Sequence, residues 1–379
     1  MKGPPPDGIA VVDVPGSSLI PGLVDAHTHV LLQDTLDRSS LVSQMVEQNL
    51  GHRIATAVRA MHIALEHGFT TIRDLGTEGA GYTDVGLRDA AVEGIVAGPR
   101  MLVAGPAIRP TGRYPLPGQP HSGTFPVGID SCSGVDACRD VVRTQVAHGV
   151  DWIKIYVSGG PLRRTDSGYP DGPAVFTEAE VGALVDEAHR QGLRIAAHAQ
   201  CLTGTRMAIE AGVDSIEHGY AITPELARAM ADRGVTLVAT LLVGRESAAR
   251  GWYGDEWVES AHQRSFQNCL EVGVPIALGT DVGGFGWTDI SQAEELSIMV
   301  GLGQTPIDAL RSATLVGARL VCPHGTGGEL ACGAWGDVVA VDGDPLADVS
   351  AVRNVRMVVQ NGAVRFRREQ ATSAIEWGG

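Results

Sequence analysis

The sequence is poor in the features that nucleic-acid-binding, membrane-spanning and disulfide-stabilised proteins need. Lys and Arg number 29 against 44 Asp and Glu, so the formal net charge is −15. Phosphate binding depends on neutralisation by Lys and Arg, and this balance argues against nucleic acid and against an anionic membrane surface. No stretch reaches the roughly 18 apolar residues of a membrane helix. The N-terminus has no apolar signal segment, and we expect a cytoplasmic protein.

Other absences bear on the fold. The six cysteines contain no Cys-x-x-Cys pair, which favours reduced thiols over a structural zinc knuckle. No Gly-x-Gly-x-x-Gly turn follows the first predicted strand, so a doubly wound open sheet is less favoured than a closed barrel. The 379 residues suit an α/β protein with a single (β/α)8 barrel of the TIM type and a small appendage.

Strand-like and helix-like segments alternate after residue 20, and several helical segments end in Gly before an apolar strand. A closed parallel barrel of this type has eight strands that alternate with helices, which is the number predicted here. The predicted strands are 23–30, 69–75, 101–108, 152–158, 194–199, 215–220, 236–243 and 275–282. The predicted helices include 43–67, 134–148, 177–191, 203–211 and 223–233.

The two chain ends are predicted to build a second, smaller unit. Residues 9–14, 337–341 and 355–359 are strand-like, and Asn361-Gly362 is a hairpin-turn signal. We predict a small β-domain from residues 1–19 plus 331–366, a metal-binding barrel from 20–330 and a tail from 367–379. Exposed edges of such a small sheet favour self-association, so we expect a homo-oligomer.

The first predicted strand ends in two imidazoles, His27 and His29, separated by one residue. Residues i and i+2 of a strand point to the same face, so both rings can meet one metal ion. Four more side chains lie in or end later strands: Lys154, His198, His218 and Asp281. Catalytic groups of a (β/α)8 barrel sit at the C-terminal ends of its strands. The six together favour a metal-dependent hydrolytic site over isolated core or surface histidines.

Lys154 is the unusual member of this set. It lies in the apolar strand Trp152-Ile153-Lys154-Ile155-Tyr156, where a charged ammonium is costly. Burial lowers the pKa of a lysine, and the neutral amine can then react. A lysine paired with a nearby carboxylate, such as that of Asp281, is an equally good interpretation of this position.

Seven short motifs, spread over most of the chain, carry a further signal. They are Pro21-Gly22-Leu23-Val24-Asp25-Ala26-His27-Thr28-His29, Thr70-Thr71-Ile72-Arg73-Asp74-Leu75-Gly76, Trp152-Ile153-Lys154, Ala197-His198-Ala199, Ile216-Glu217-His218-Gly219, Leu278-Gly279-Thr280-Asp281 and Gly336-Asp337-Val338-Val339-Ala340-Val341-Asp342-Gly343-Asp344-Pro345-Leu346. Together they resemble the amidohydrolase superfamily, in particular its branch of imidazolonepropionase-like proteins, Xaa-Pro and Xaa-Arg dipeptidases and ochratoxin amidases. The chain departs from that pattern at its start, where family members typically have several more strands, so the small β-domain is expected to be shortened.

The resemblance implies a binuclear metal centre. Lys154 would be carboxylated by CO2, and its carbamate would bridge two metal ions. Five side chains would complete the two sites: His27, His29 and Asp281 at the more buried ion, and His198 and His218 at the other. Zinc suits these donors best, with Mn, Co or Fe as alternatives. Asp281 would take a proton from the activated water and pass it to the leaving amine, while the second metal polarises the carbonyl.

Three further positions are secondary candidates. His121 lies in a long loop after the third predicted strand, and related peptidases use a histidine from this region to polarise the carbonyl; a plain loop histidine is the alternative. Tyr156 shares a strand face with Lys154 and is expected either to hydrogen-bond a substrate oxygen or to pack in the core. Arg73 and Asp74 end the second strand, and we interpret them as a buried structural ion pair.

Loop residues bear on the substrate. Five arginines follow predicted strands three, four and seven: Arg109, Arg113, Arg163, Arg164 and Arg245. In so acidic a chain they predict a carboxylate-bearing substrate held by guanidinium groups, with solvated loop arginines as the alternative. Aromatic residues after strands seven and eight are expected to line a pocket: Trp252, Tyr253, Phe285 and Trp287.

The leading hypothesis is a metal-dependent hydrolase that cleaves an amide C–N bond of a small molecule, either an N-acyl amino acid or a dipeptide. A cyclic-amide hydrolase or a deaminase of the same superfamily is the alternative. Deaminases commonly use one metal and lack the lysine in strand four. A catalytically inactive scaffold is disfavoured, because such relatives usually lose ligands and this chain has all six.

Overall fold

The computed structural model describes residues 11–112, 128–251, 256–322 and 324–368. Its strands are β1 (Ser17–Pro21), β2 (Leu23–Thr28), β3 (Phe69–Asp74), β4 (Arg100–Val103), β5 (Ile108–Pro110), β6 (Asp130–Cys132), β7 (Trp152–Tyr156), β8 (Arg163–Arg164), β9 (Pro170–Asp171), β10 (Arg194–Ala199), β11 (Ser215–His218), β12 (Thr236–Val238), β13 (Val338–Asp342), β14 (Val355–Gln360) and β15 (Ala363–Arg367). Its α-helices are α1 (Arg38–Val42), α2 (Leu50–Glu66), α3 (Thr83–Val92), α4 (Val135–Ala147), α5 (Glu178–Arg190), α6 (Leu202–Ala211), α7 (Pro224–Arg233), α8 (Leu241–Ala249), α9 (Glu256–Val272), α10 (Glu294–Gly301), α11 (Pro306–Arg311) and α12 (Gly317–Val321). Two π-helical turns (Ser43–Glu47 and Ser312–Val316) and a 3-10 helix (Val349–Arg353) accompany them.

Parallel strands form the centre of the molecule. One sheet has the order β12-β11-β10-β7-β5-β6, and a second has the order β2-β3-β4. Residues 275–282 join the two sheets, because Leu237 N of β12 donates to Pro275 O and Asp281 N donates to His27 O of β2. The predicted α/β fold with parallel strands is confirmed, and closure into a complete (β/α)8 barrel stays a prediction.

Two of the predicted strands are less regular than their apolar pattern indicates. The third, 101–108, is divided into β4 and β5, since Gly105 has a φ of +65° and Pro106 lacks an N–H for the ladder. The eighth, 275–282, makes isolated bridges at Ile276 and Val282 rather than a continuous ladder.

The seventh predicted strand, 236–243, becomes a helix halfway along. β12 ends at Val238, and α8 begins three residues later. The buried Glu295 carboxylate accepts the N–H groups of Leu241 and Leu242 at 2.8 and 2.6 Å. The first amides of a helix have no partner within it, so this carboxylate, far away in the sequence, stabilises the start of α8.

The chain ends meet in one antiparallel sheet of order β1-β13-β14-β15. The predicted strand 9–14 is wrong for its described part, because residues 11–14 form no strand and the first strand is β1. Residues Ser17–Pro21 instead pair with Val338–Asp342. The predicted hairpin is confirmed: Asn361 and Gly362 have φ of +50° and +76° and link β14 to β15. The proposed domain boundaries stay a prediction.

Helix caps agree with the sequence pattern. Thr177 and Glu180 form a capping box at the start of α5. α6 and α7 end at Gly212 and Gly234 in the left-handed conformation. None of the helices in the described ranges is long and apolar enough to cross a lipid bilayer.

Candidate metal centre

The six side chains singled out in the sequence line one cavity of about 180 Å³. His27 lies in β2, Lys154 in β7, His198 in β10 and His218 at the end of β11, while Asp281 belongs to the segment that joins β12 to β2. Parallel pairing of these strands brings their C-terminal ends to the same side. The predicted convergence of the six residues is therefore seen in the structure, and their roles as ligands are a proposal.

Three of them form a tight cluster. The donor atoms of His27, His29 and Asp281 all lie within 4.8 Å of one another. His29 Nε2 is 3.1 Å and His27 Nε2 is 3.6 Å from Asp281 Oδ1. Two imidazoles and a carboxylate at this spacing can bind one divalent ion such as zinc.

The other two histidines flank this cluster. The rings of His198 and His218 have centroids 4.6 Å apart, and the ring of His27 is 5.0 Å from that of His218. Asp281 Oδ2 lies 4.0 Å from His218 Nδ1. The carboxylate of Asp281 thus faces His27 and His29 on one side and His218 on the other.

Three of the histidines have Nδ1 occupied by a hydrogen bond. His27 Nδ1 lies 2.8 Å from Glu217 Oε2, His29 Nδ1 donates to Gly76 O at 2.9 Å, and His218 Nδ1 lies 2.8 Å from Thr240 Oγ1. Such bonds fix the ring orientation and the tautomer of a metal-binding histidine. Each Nε2 is consequently left to act as a ligand.

The backbone is left-handed at three residues of the site. His218, Thr240 and Asp281 have φ of +66°, +52° and +58°, and non-glycine residues rarely adopt this conformation. On a regular strand His218 would point away from the face used by Glu217. The left-handed turn redirects its ring towards the cavity, and strain of this kind is concentrated at functional sites.

Lys154 is buried, with 1% of its surface exposed. Its Nζ has no hydrogen-bond partner among the described residues, so the alternative of a pair with Asp281 is not observed. Burial lowers the pKa of Lys154 to about 8. An unsatisfied buried amine costs free energy, and a carbamate on Nζ that binds metal ions would remove that cost, so these residues fit the implied metal centre.

The protonation of the imidazoles also suits metal binding. Burial, reinforced by the nearby Lys154 amine, lowers the pKa of His27 to about 4. Burial likewise places the pKa values of His198 and His218 well below their usual range. Burial would also lower that of His29, but the hydrogen bond to Asp281 raises its pKa to about 9. A metal ion would replace the His29 proton, since ligands must be deprotonated.

The interpretation of Arg73 and Asp74 as an ion pair is wrong. Arg73 Nη2 lies 2.9 Å from Glu217 Oε1, and Arg73 Nε donates to Ala26 O at 2.6 Å. Asp74 Oδ2 instead accepts the N–H of Val30. Adjacent residues of a strand point to opposite faces, so Arg73 and Asp74 cannot face each other.

Glu217 is the functional residue that sequence reasoning missed. Burial would raise its pKa, but Arg73 and His27 lower it to about 2. It therefore stays ionised and links a buried guanidinium to the ring of a candidate ligand. Its position beside His218 in a buried strand was a signal, since a carboxylate there needs a partner.

We expect Glu217→Gln to destabilise the protein by about 3–5 kcal/mol, because the change leaves the Arg73 charge buried without its partner. Metal affinity should fall about 10- to 100-fold, because His27 Nδ1 loses the carboxylate that fixes the orientation of its ring. Urea unfolding and a competitive metal titration measure the two effects. The double variant Arg73→Met with Glu217→Met is the control, and it should recover most of the stability and none of the affinity. Unchanged stability in Glu217→Gln would contradict this account of the pair.

Tyr156 is placed at the site and engaged in contacts there. Its hydroxyl donates to Glu78 Oε1 at 3.0 Å, and its ring centroid is 4.7 Å from that of His198. The Arg109 guanidinium stacks on the same ring at 4.4 Å and donates to Ser158 O. Whether Tyr156 contacts substrate stays a prediction.

None of the predicted substrate arginines that the structure describes lines the cavity. Arg163 and Arg164 are exposed in β8, and Arg245 in α8 pairs with Glu294 at 3.3 Å. Phe285 and Trp287 are buried in the hydrophobic core rather than lining the cavity. Four further candidates lie outside the described residues: Arg113, His121, Trp252 and Tyr253.

Comparison with known proteins agrees with this site. The sequence profile of the Amidohydrolase family matches residues 18–365. Ochratoxinase of Aspergillus niger is 31% identical over 371 residues, which cover 90% of this chain and 73% of ochratoxinase. Imidazolonepropionase of Halobacterium salinarum is 28% identical over 406 residues, which cover 95% of this chain and 86% of that protein. A crystal structure of a Xaa-Pro dipeptidase with bound methionine in the active site superposes with a TM-score of 0.82 at 30% identity and covers 95% of this chain and 90% of its own.

The chain therefore belongs to the amidohydrolase family. It is a hydrolase, and members of this family generally bind metal ions. The resemblance predicted from the sequence motifs is confirmed.

Proposed function

We propose that the protein is a binuclear metal-dependent hydrolase that cleaves an amide C–N bond of a small molecule. The observation that carries the proposal is the arrangement of the histidines, since three Nδ1 atoms are engaged in hydrogen bonds and the Nε2 atoms remain for metal ions. The fold that places them is proposed to be a closed (β/α)8 barrel, in which residues 275–282 act as the eighth strand.

The proposed ion-binding residues are six of the side chains that line the cavity. One ion would be held by His27, His29 and Asp281, the other by His198 and His218, with a Lys154 carbamate between them. Divalent ions there, most suitably zinc, would supply a Lewis acid and lower the pKa of a bound water. The engaged Nδ1 partners hold the rings in place before substrate arrives, so binding needs little reorganisation.

Asp281 is proposed to move the proton. Burial would raise its pKa, but the imidazoles of His27 and His29 lower it, so the side chain is a carboxylate and able to act as a base. Its two oxygens face the two halves of the site. When water adds to the scissile carbonyl carbon, Asp281 takes a proton from that water and delivers it to the leaving nitrogen as the C–N bond breaks.

The cavity suits a small substrate with an apolar part. Its volume is about 180 Å³, and four aliphatic side chains form part of its wall: Leu32, Leu36, Leu41 and Val243. The similarity to an ochratoxinase and to a Xaa-Pro dipeptidase supports an N-acyl amino acid or a dipeptide as the substrate class. The similarity to an imidazolonepropionase keeps a cyclic amide as the second candidate.

A substrate panel at defined metal content tests the proposal. Purified protein is stripped with a chelator, reloaded with Zn, Mn or Co, and assayed against N-acyl amino acids, dipeptides and cyclic amides. We expect activity on at least one open-chain amide, loss of that activity in the stripped protein and its return on reloading. Activity on cyclic amides alone would select the second candidate. No turnover by fully metallated protein across the panel would reject the function.

A further inference from the structure

Two of the six cysteines lie in direct contact, and neither lines the cavity of the candidate metal centre. Cys132 Sγ is 2.8 Å from Cys138 Sγ, and both side chains are free thiols with 3% and 0% of their surface exposed. This is the only hydrogen bond between two sulfur atoms among the described residues, which include all six cysteines. A disulfide needs an S–S distance of about 2.05 Å, so the two sulfur atoms need to move little to form one.

The backbone around the pair is held by neighbouring elements. Cys132 is the last residue of β6 and pairs with Pro110 of β5, while Cys138 lies in the first turn of α4. Between them, Gly134 has a φ of +85°, its carbonyl accepts the N–H of Cys138 at 3.0 Å, and its own N–H donates to Glu180 Oε1 at 2.7 Å. The fold therefore brings the two thiols together before any reaction, and groups held in this way react with a high effective concentration.

A metal site and a reactive catalytic thiol fit the pair less well than a disulfide does. Among the described residues, no third His, Cys, Asp or Glu joins these two sulfur atoms in a group of possible metal ligands, and structural zinc takes four. Reactive cysteines have a lowered pKa, whereas the hydrogen bond with Cys138 and burial raise the pKa of the Cys132 thiol. A disulfide removes two buried S–H groups and needs no further partner, so it is the product that suits the pair best.

We propose that Cys132 and Cys138 are a dithiol–disulfide site, which a low-molecular-weight disulfide such as glutathione disulfide oxidises, and that the bond links β6 to α4. One cysteine thiolate attacks a sulfur of glutathione disulfide, which forms a mixed disulfide and releases one glutathione thiolate. The second cysteine thiolate then attacks the cysteine sulfur of the mixed disulfide, which forms the Cys132–Cys138 bond and releases the second glutathione. Two electrons pass from the cysteines to glutathione, and the two protons that the cysteines lose end on the two glutathione thiols. The inference does not depend on the proposed hydrolase activity.

Mass spectrometry of the wild-type protein tests the inference. The trypsin fragment 114–139 contains Cys132 and Cys138 and no other cysteine. The folded protein is incubated with glutathione disulfide in buffer and in urea below the unfolding transition, where local opening exposes buried groups, and is then alkylated in full denaturant and digested. We expect this fragment to be lighter by two hydrogen atoms and free of alkyl groups, and to take up two alkyl groups after reduction. Two alkyl groups on the unreduced fragment under both conditions, or a glutathione adduct that does not resolve, would overturn the inference.

Urea unfolding then tests whether the bond stabilises the fold. Among the described strands, β6 is an end strand that pairs with β5 alone, so a covalent link to α4 should raise the urea concentration at half unfolding. The rise should vanish on reduction and be absent from Cys138→Ser. The matched control Cys201→Ser should keep the rise, because Cys201 is a buried cysteine at the N-cap of α6, a position that serine favours. An equal rise in Cys138→Ser, or none in the oxidised wild type, would contradict the proposed link between β6 and α4.

Discussion

Asp281→Asn is expected to lower kcat by about 10²- to 10⁴-fold on any amide that the wild type cleaves, which is the usual contribution of a general acid–base residue. The carboxylate lies 3.1 and 3.6 Å from two imidazole nitrogens and 4.0 Å from a third. An asparagine keeps this shape but neither accepts the proton of the attacking water nor balances the charge of a metal ion. KM is expected to change much less, because the interaction matters most in the transition state.

The control for this variant lies in the same loop. Asp289 is exposed and does not line the cavity, and Asp289→Asn should keep full activity. Metal content is measured on every sample, so that loss of chemistry is separated from loss of an ion. An Asp281→Asn enzyme that retains metal and more than about a tenth of the wild-type kcat would contradict a proton-transfer role.

Lys154→Met is expected to separate stability from function. Methionine has nearly the length of lysine and no amine, so it removes the buried, unpartnered Nζ. The metal-free variant should therefore be more stable than the metal-free wild type by about 1–3 kcal/mol, the cost of an unsatisfied buried donor. In the presence of metal the wild type should be the more stable of the two, because the variant would lack the group that is proposed to bridge two ions. The activity of the variant should fall about 10³-fold or more, as for a lost catalytic group.

The composition of the chain would make a carbamate on Lys154 directly observable. Lys2 is the only other lysine in the sequence, so few amines can form a carbamate. Carbon NMR of the metallated protein in ¹³C-bicarbonate can therefore assign a carbamate signal to its residue. We expect one protected carbamate signal, retained in the matched control Lys2→Met and absent from Lys154→Met. Two bound ions and full activity in Lys154→Met would refute the bridging role.

The candidate ligands that follow strand periodicity were predictable from the sequence. His27 and His29 share a strand face by their spacing, and the strand that ends beside His198 was predicted with its observed bounds of 194–199. Alternation along a strand depends on neighbouring residues only, so a single sequence contains it. The Asn361-Gly362 turn was predictable for the same reason, because its conformation is local.

The structural features that were not predicted depend on contacts between residues that are distant in the sequence. Glu295 stabilises the start of α8, where the apolar pattern indicated a strand. The bond from Arg73 to Glu217 spans 144 residues, and it replaced an ion pair inferred from adjacency. The left-handed conformations of His218 and Asp281 also override the strand pattern. Such features arise from tertiary contacts, which local periodicity does not encode.

Anomalous scattering from crystals of the metallated protein, recorded on both sides of the zinc edge, tests the binuclear centre most directly. The account predicts two peaks about 3.5–4 Å apart, one beside His27, His29 and Asp281 and the other beside His198 and His218, with density for a carboxylated Lys154 between them. A single peak, or none, with Lys154 unmodified and turned away from the cavity, would contradict it.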